Sequence, residues 1–190
     1  MSRDQQKQAN RRAMTDAATR LFTTEGYAGT TIEAVAAASG MSVQGVYFAY
    51  QNKANLLQAA VEAGTPERRA HNAVTDPDEL LLRLAEDATA ELDATGALAL
   101  AIGSAPPSDT AAVAVHARLE ADRSRRAGAL VQQLRALRPL APGVTARRVT
   151  DVVFALLSPQ LHAVLVRDRG WASRRYAAWA ADAVRRALWG

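Results

Sequence analysis

Alanine occupies 43 of the 190 positions, and no other feature of the sequence restricts the fold as strongly. Its methyl side chain loses no rotamer entropy in a helix, so so high a share favours an all-α chain. Only 10 residues are aromatic and 7 are proline. No alternating apolar/polar run of strand length occurs, and no internal repeat. The 190 residues suit one sizeable domain, or a small domain joined to a medium one.

Charge and cysteine usage narrow the function classes. The 23 Lys+Arg against 19 Asp+Glu give a formal net charge of +4, too modest to establish a nucleic-acid partner. Lysine appears only as Lys7 and Lys53; arginine supplies the other cations. With no cysteine there is no disulfide, thiolate metal site or cysteine nucleophile. His71, His116 and His162 stand apart, without HExxH or GxSxG, and Asp76 and Asp78 flank Pro77 as helix-capping residues. The expectation is therefore no enzyme, no metal and no cofactor. The polar start of the chain lacks the apolar core of a signal peptide. The apolar stretches 94–108 and 152–166 are too short to span a bilayer, so the chain is expected to be soluble and cytoplasmic.

Apolar spacing and capping residues then divide the chain. Residues 1–10 read as a flexible polar arm with Arg3, Lys7 and, just beyond, Arg11 and Arg12. A first helix is expected over 11–25, closed by Gly26. Thr31 starts a short helix ending before Gly40, Ser42 starts the next, and Asn52 a fourth. Turn signals near 64–78 place a boundary between a small unit, 11–63, and a larger helical one, 64–190. In the larger unit, helices are expected over 76–101, over 109–138 with a break near 116–120, from Thr145 to about Asp168, and from Ser173 to Trp189.

The stretch from Thr31 to Tyr50 meets the demands of a helix-turn-helix. Ala36 is small where two helices cross, Gly40 permits a positive φ at the turn, and Val46 returns an apolar side chain to the shared core. Val35, Met41 and Ala49 complete the inward set. Ser42, Val43, Gln44, Gly45, Tyr47, Phe48 and Tyr50 crowd the second helix, where Gln can read adenine and hydroxyl tips can bond phosphate. Lys53 opens the following helix, whose amide groups and ammonium suit a phosphate. Two ordinary amphipathic helices, or an adaptor binding protein without DNA, would share much of this pattern.

Gly26-Tyr27, Thr30-Thr31-Ile32, Val35-Ala36, Gly40-Met41-Ser42, Val46-Tyr47, Asn52-Lys53 and Leu56-Leu57 together resemble the N-terminal domain of TetR-family transcriptional regulators. A second likeness, in 157–161, Arg169-Gly170-Trp171, Tyr176 and Trp179, is similar to the C-terminal dimerisation helices of many such repressors. The resemblance implies a homodimeric repressor on a palindromic double-stranded operator, released by a small-molecule effector. Thr31, Tyr47 and Lys53 would then hold phosphates, and Ser42, Val43, Gln44 and Gly45 would face bases. Phe48 belongs to the same surface, and Tyr50 would either pack or touch the DNA backbone. Gly45 and Ala49 depart from the family's frequent Thr and His, leaving Gln44 as the principal base reader. Glu33 either accepts from cytosine or points away.

The larger unit would supply the dimer and the effector site. Its last two long helices carry wide apolar faces, covered either within one chain or by a second copy. Val153, Leu156, Leu157, Pro159, Leu161 and Trp179 are the candidate interface residues, with Pro159 kinking its helix. Stretches 81–102 and 113–137 are candidate walls of an effector cavity. His71, Thr89 and His116 are its candidate polar contacts.

Overall fold

A computed structural model describes residues 2–67 and 69–190. Among them are nine α-helices, one π-helical segment and no strand. The helices are α1 (Arg3–Gly29), α2 (Ile32–Ser39), α3 (Val43–Tyr50), α4 (Lys53–Gly64), α5 (Pro77–Gly103), α6 (Thr110–Leu137), α7 (Ala146–Leu156), α8 (Pro159–His162) and α9 (Ser173–Trp189). Alanine-rich helices dominate, as the side-chain entropy argument requires.

Two compact units form. The first comprises residues up to Thr65 together with Ala97–Leu119; the second comprises Pro66–Gly96 and Glu120–Gly190. A single division after residue 63 therefore omits a part of the first unit. Leu98, Ile102, Ala112 and Val115 join its core beside Phe22, Tyr27, Val35, Val46, Leu56 and Leu57. The second unit has its own core, built on Leu80, Leu81, Val131, Leu134, Val149, Val153, Val184 and Leu188.

Local chemistry sets the ends of the short helices. Thr31, Ser42 and Asn52 each accept a hydrogen bond from the backbone N–H three residues on, at 3.1, 3.0 and 2.8 Å. Each bond satisfies a donor that the first helical turn leaves free. Gly40 turns the chain at φ 70, ψ 22, a left-handed conformation that costs a residue with a Cβ about 1 kcal/mol or more. Val46 and Ala36 meet in the shared core at 0% and 3% exposure, so the helices approach as closely as the small side chain allows.

Several boundaries differ from the sequence expectation. Residues 3–10 are helical, with 3–9 exposed, rather than a flexible arm, because Ser2 and Gln5 form a reciprocal capping box at the start of α1. Gly26 breaks that helix at φ 72, ψ 179, and a last turn follows to Gly29. α6 passes unbroken through 116–120. α7 stops at Leu156 and does not run on to Asp168. Proline has no N–H and cannot continue α7, and the break leaves carbonyls of its last turn without helical partners. The Arg123 guanidinium donates to the Phe154 carbonyl and the Tyr176 hydroxyl to that of Leu156. Beyond the break, α8 continues as the π-helical segment Ala163–Asp168, bent 43° from α7. Ser173 is the first residue of α9, not its cap; its hydroxyl instead bonds Asp93 at 2.9 Å. No single helix among the described residues is long and apolar enough to cross a membrane.

Candidate nucleic-acid interface and ligand cavity

α3 separates its residues by angle. Val46 and Tyr50 point into the first unit's core, at 0% and 6% exposure, and Ala49 packs at its edge. Val43, Gln44, Tyr47 and Phe48 lie on the opposite face and are exposed. At roughly 100° per residue these four span an arc of about 140°. Ser42 is exposed, with its oxygen already capping α3, and Gly45 is half-buried beside it. Thr31 is exposed at the start of α2. The outward face thus offers one amide, one phenol and two apolar side chains on a short, doubly capped helix.

Two members of the sequence set sit otherwise. Tyr50 packs rather than facing outward: its hydroxyl donates to the Arg11 carbonyl at 3.3 Å, and the Arg11 guanidinium lies 5.2 Å from its ring centre. Lys53 is half-buried, and its ammonium donates to the carbonyls of Tyr27 at 2.7 Å and Thr30 at 3.0 Å, 4.3 Å from the Tyr27 ring centre. Two of its three donors therefore hold the end of α1, and one is left for a phosphate. The Tyr27 hydroxyl donates to Asp109 at 2.7 Å. Burial, and then that carboxylate, push the phenol well above its ordinary pKa. Asp109 also caps α6 through the Ala112 N–H at 2.9 Å. That amide, then the phenol, hold its carboxyl below the usual range. Arg3, Lys7, Arg11 and Arg12 are all exposed on α1.

The second unit holds a partly open cavity of about 970 Å³. Leu80, Leu84, Leu92, Leu130, Val153 and Phe154 give it apolar walls. Of the three sequence-predicted contacts, His71 and Thr89 line it and His116 does not. His116 is half-buried in the first unit, next to Gly103. The His71 ring lies 2.7 Å from the Asp87 carboxylate, and the Thr89 hydroxyl donates to the Ala85 carbonyl at 2.7 Å. Sequence reasoning missed the charged lining of Asp87, Glu91, Asp93, Arg123 and Arg126. Arg126 pairs with Glu91 across helices and with Asp122 at 3.0 Å on its own. The i,i+4 spacing of Asp87 and Glu91 was the available signal, since it puts two carboxylates on one face of α5.

Of the expected interface residues, Val153 and Pro159 are buried within the chain, at the core and at the α8 turn. Leu157 lines the cavity. Leu156, Leu161 and Trp179 remain half-buried, and Val164 is exposed.

A capped helix-turn-helix with an outward reading face, followed by a ligand-sized cavity in a helical unit, defines a DNA-binding transcriptional regulator. Comparison agrees. Residues 14–60 match the model for bacterial regulatory proteins of the tetR family. The structure of NalD, the secondary repressor of the MexAB-OprM multidrug efflux pump in Pseudomonas aeruginosa, superposes with a TM-score of 0.73 at 25% identity, covering 96% of this chain and 97% of that one. The SmeT–triclosan complex gives 0.65 at 21% identity over 96% and 92%. FadR from Bacillus subtilis with stearoyl-CoA gives 0.67 at 12% over 90% and 96%, a likeness of fold. No curated protein sequence matches significantly. Residues 14–60 thus carry a DNA-binding domain of the tetR type, and the chain shares the fold of structures of such regulators.

Proposed function

We propose that the protein is a homodimeric, cytoplasmic repressor that binds a palindromic operator and leaves it when a small-molecule effector enters the cavity of the second unit. The observation that carries this reading is the cavity itself. Its volume of about 970 Å³ falls in the range of small-molecule sites. The relatives of like fold include one solved with triclosan and one with stearoyl-CoA, and NalD is a repressor. Thr31, Tyr47 and the free donor of Lys53 would bond phosphates, while Ser42, Val43, Gln44, Gly45 and Phe48 face base edges. Repeated half-sites about one DNA turn apart need two reading heads.

The second head would come from a second copy, docked through Leu156, Leu161, Val164 and Trp179, whose apolar surface the chain itself leaves half covered. Val153, Pro159 and Leu157 serve the chain's own packing and stand outside that set. Light scattering of the protein, alone and on an enriched duplex, tests the assembly. The expected masses are two chains free and two chains per duplex, with Leu161→Asp reduced to one chain and weakened on DNA. A stable wild-type monomer that binds single sites would overturn the dimeric reading.

A further inference from the structure

We propose that α3 reads thymine C5-methyl groups, and that Phe48, together with Val43, is a specificity-determining residue. This rests on the DNA-binding reading of α3 and goes beyond it to the chemistry of readout.

Phe48 is 90% exposed, the most exposed large apolar side chain of the described residues, while Tyr47 is 46% and Val43 37% exposed. α3, VQGVYFAY, carries no charged residue at all. A base-reading face normally relies on arginine, asparagine or carboxylate groups, and this one has Gln44 alone. The remaining outward side chains form two i,i+4 rows, Val43–Tyr47 and Gln44–Phe48. The major groove presents hydrogen-bonding edges and one apolar group, the thymine methyl. The apolar half of this outward face, Val43 and Phe48, therefore matches the thymine methyl, the one apolar group the groove presents.

Spacing supports adjacent reading. Gln44 and Phe48 are one turn apart, about 6 Å along the helix, less than two base-pair steps. Gln44 paired bidentately to an adenine and Phe48 against a thymine methyl would address neighbouring A·T pairs. Phe48 has no role in the core of its own unit, so its substitution leaves the fold intact.

The test uses full-length protein and the duplex that the wild type enriches from a random library. Each thymine of one half-site is replaced in turn by deoxyuridine, which lacks only the C5 methyl. The wild type should lose about three- to four-fold in affinity at one or two positions, the factor that burying a single methyl contributes. At one of those positions, the one Phe48 reads, Phe48→Ala should bind the thymine and uracil duplexes equally, with an unchanged melting temperature and salt slope. Phe48→Leu should retain part of the discrimination. Indifference of the wild type to every replacement, an enriched half-site without thymine, or full discrimination by Phe48→Ala would overturn the proposal while leaving DNA binding in place. Enrichment of no duplex at all would overturn the regulator reading with it.

Discussion

Replacing Lys53 by Met keeps most of the side chain's stem and removes its charge, which separates two roles of this residue. The ammonium bonds the Tyr27 and Thr30 carbonyls at 2.7 and 3.0 Å, and the residues carrying them are 1% and 0% exposed. Hydrogen bonds to a charged group contribute about 1.5–3 kcal/mol net each, and a half-buried lysine belongs at the low end. The ammonium over the Tyr27 ring adds about 0.5 kcal/mol. Recovered hydration of the freed carbonyls offsets part of this, so Lys53→Met should lose about 2–3 kcal/mol. With a urea slope of about 2 kcal/mol/M, the unfolding midpoint followed by circular dichroism at 222 nm should fall by somewhat more than 1 M. On folded protein, loss of the remaining phosphate donor should lower the salt slope of DNA binding by about 1. An unchanged midpoint with weakened DNA binding would refute the strut at the end of α1 and make Lys53 a phosphate contact alone.

Other perturbations test separate parts of the account. Tyr27→Phe removes the bond to Asp109 and should cost about 1 kcal/mol in urea unfolding; a neutral effect would show that the bond contributes nothing net. Because the folded-state carboxyl of Asp109 is held below its ordinary pKa, its contribution is complete above about pH 4 and fades as pH falls through the lower folded value. Melting curves of Asp109→Asn should accordingly converge toward wild type in acid; parallel curves down to pH 2 would contradict the depressed pKa. Gly40→Ala meets no atom within 4 Å, so only the positive φ opposes it and about 1 kcal/mol should be lost; a much larger loss would mean a steric clash. Ala88→Trp, on the cavity wall, should weaken binding of an apolar fluorescent probe at least ten-fold with little change in melting. Unchanged probe binding would place the ligand elsewhere.

What the sequence revealed and what it hid follow the range of the interactions. Thr31, Gly40, Ser42 and Asn52 act on backbone groups within four residues, so the helix-turn-helix could be laid out residue by residue before any coordinates. The start of α1 was equally local, since Ser2 and Gln5 have capping-box spacing, but the polar composition of 1–10 masked it. The partners of Lys53 lie 23 and 26 residues away, and the Asp109 that binds Tyr27 lies 82 away. No periodicity records such separations. Tyr50 illustrates a different limit: its phenol suits either a phosphate or the Arg11 carbonyl, and only the packing of α1 decides. Of the expected walls on α5 and α6, the parts up to Asp93 and from Arg123 onward line the cavity, whereas Leu98, Ile102 and Val115 belong to the first unit's core. The cavity's charged lining was not foreseen, because Glu91 meets Arg126 across helices and a helical wheel describes one helix at a time. Val153, buried within the chain, shows why the apolar face of α7 leaves the contact open: burial in one chain and burial in a dimer demand the same side chains.

The measurement that tests the central claim most directly is selection of randomised duplex DNA by the purified protein at low salt, with sequencing of the recovered pool. The account predicts a motif with two-fold symmetry and half-sites about one helical turn apart. A folded protein that enriches no sequence, or that binds all duplexes equally, would contradict it.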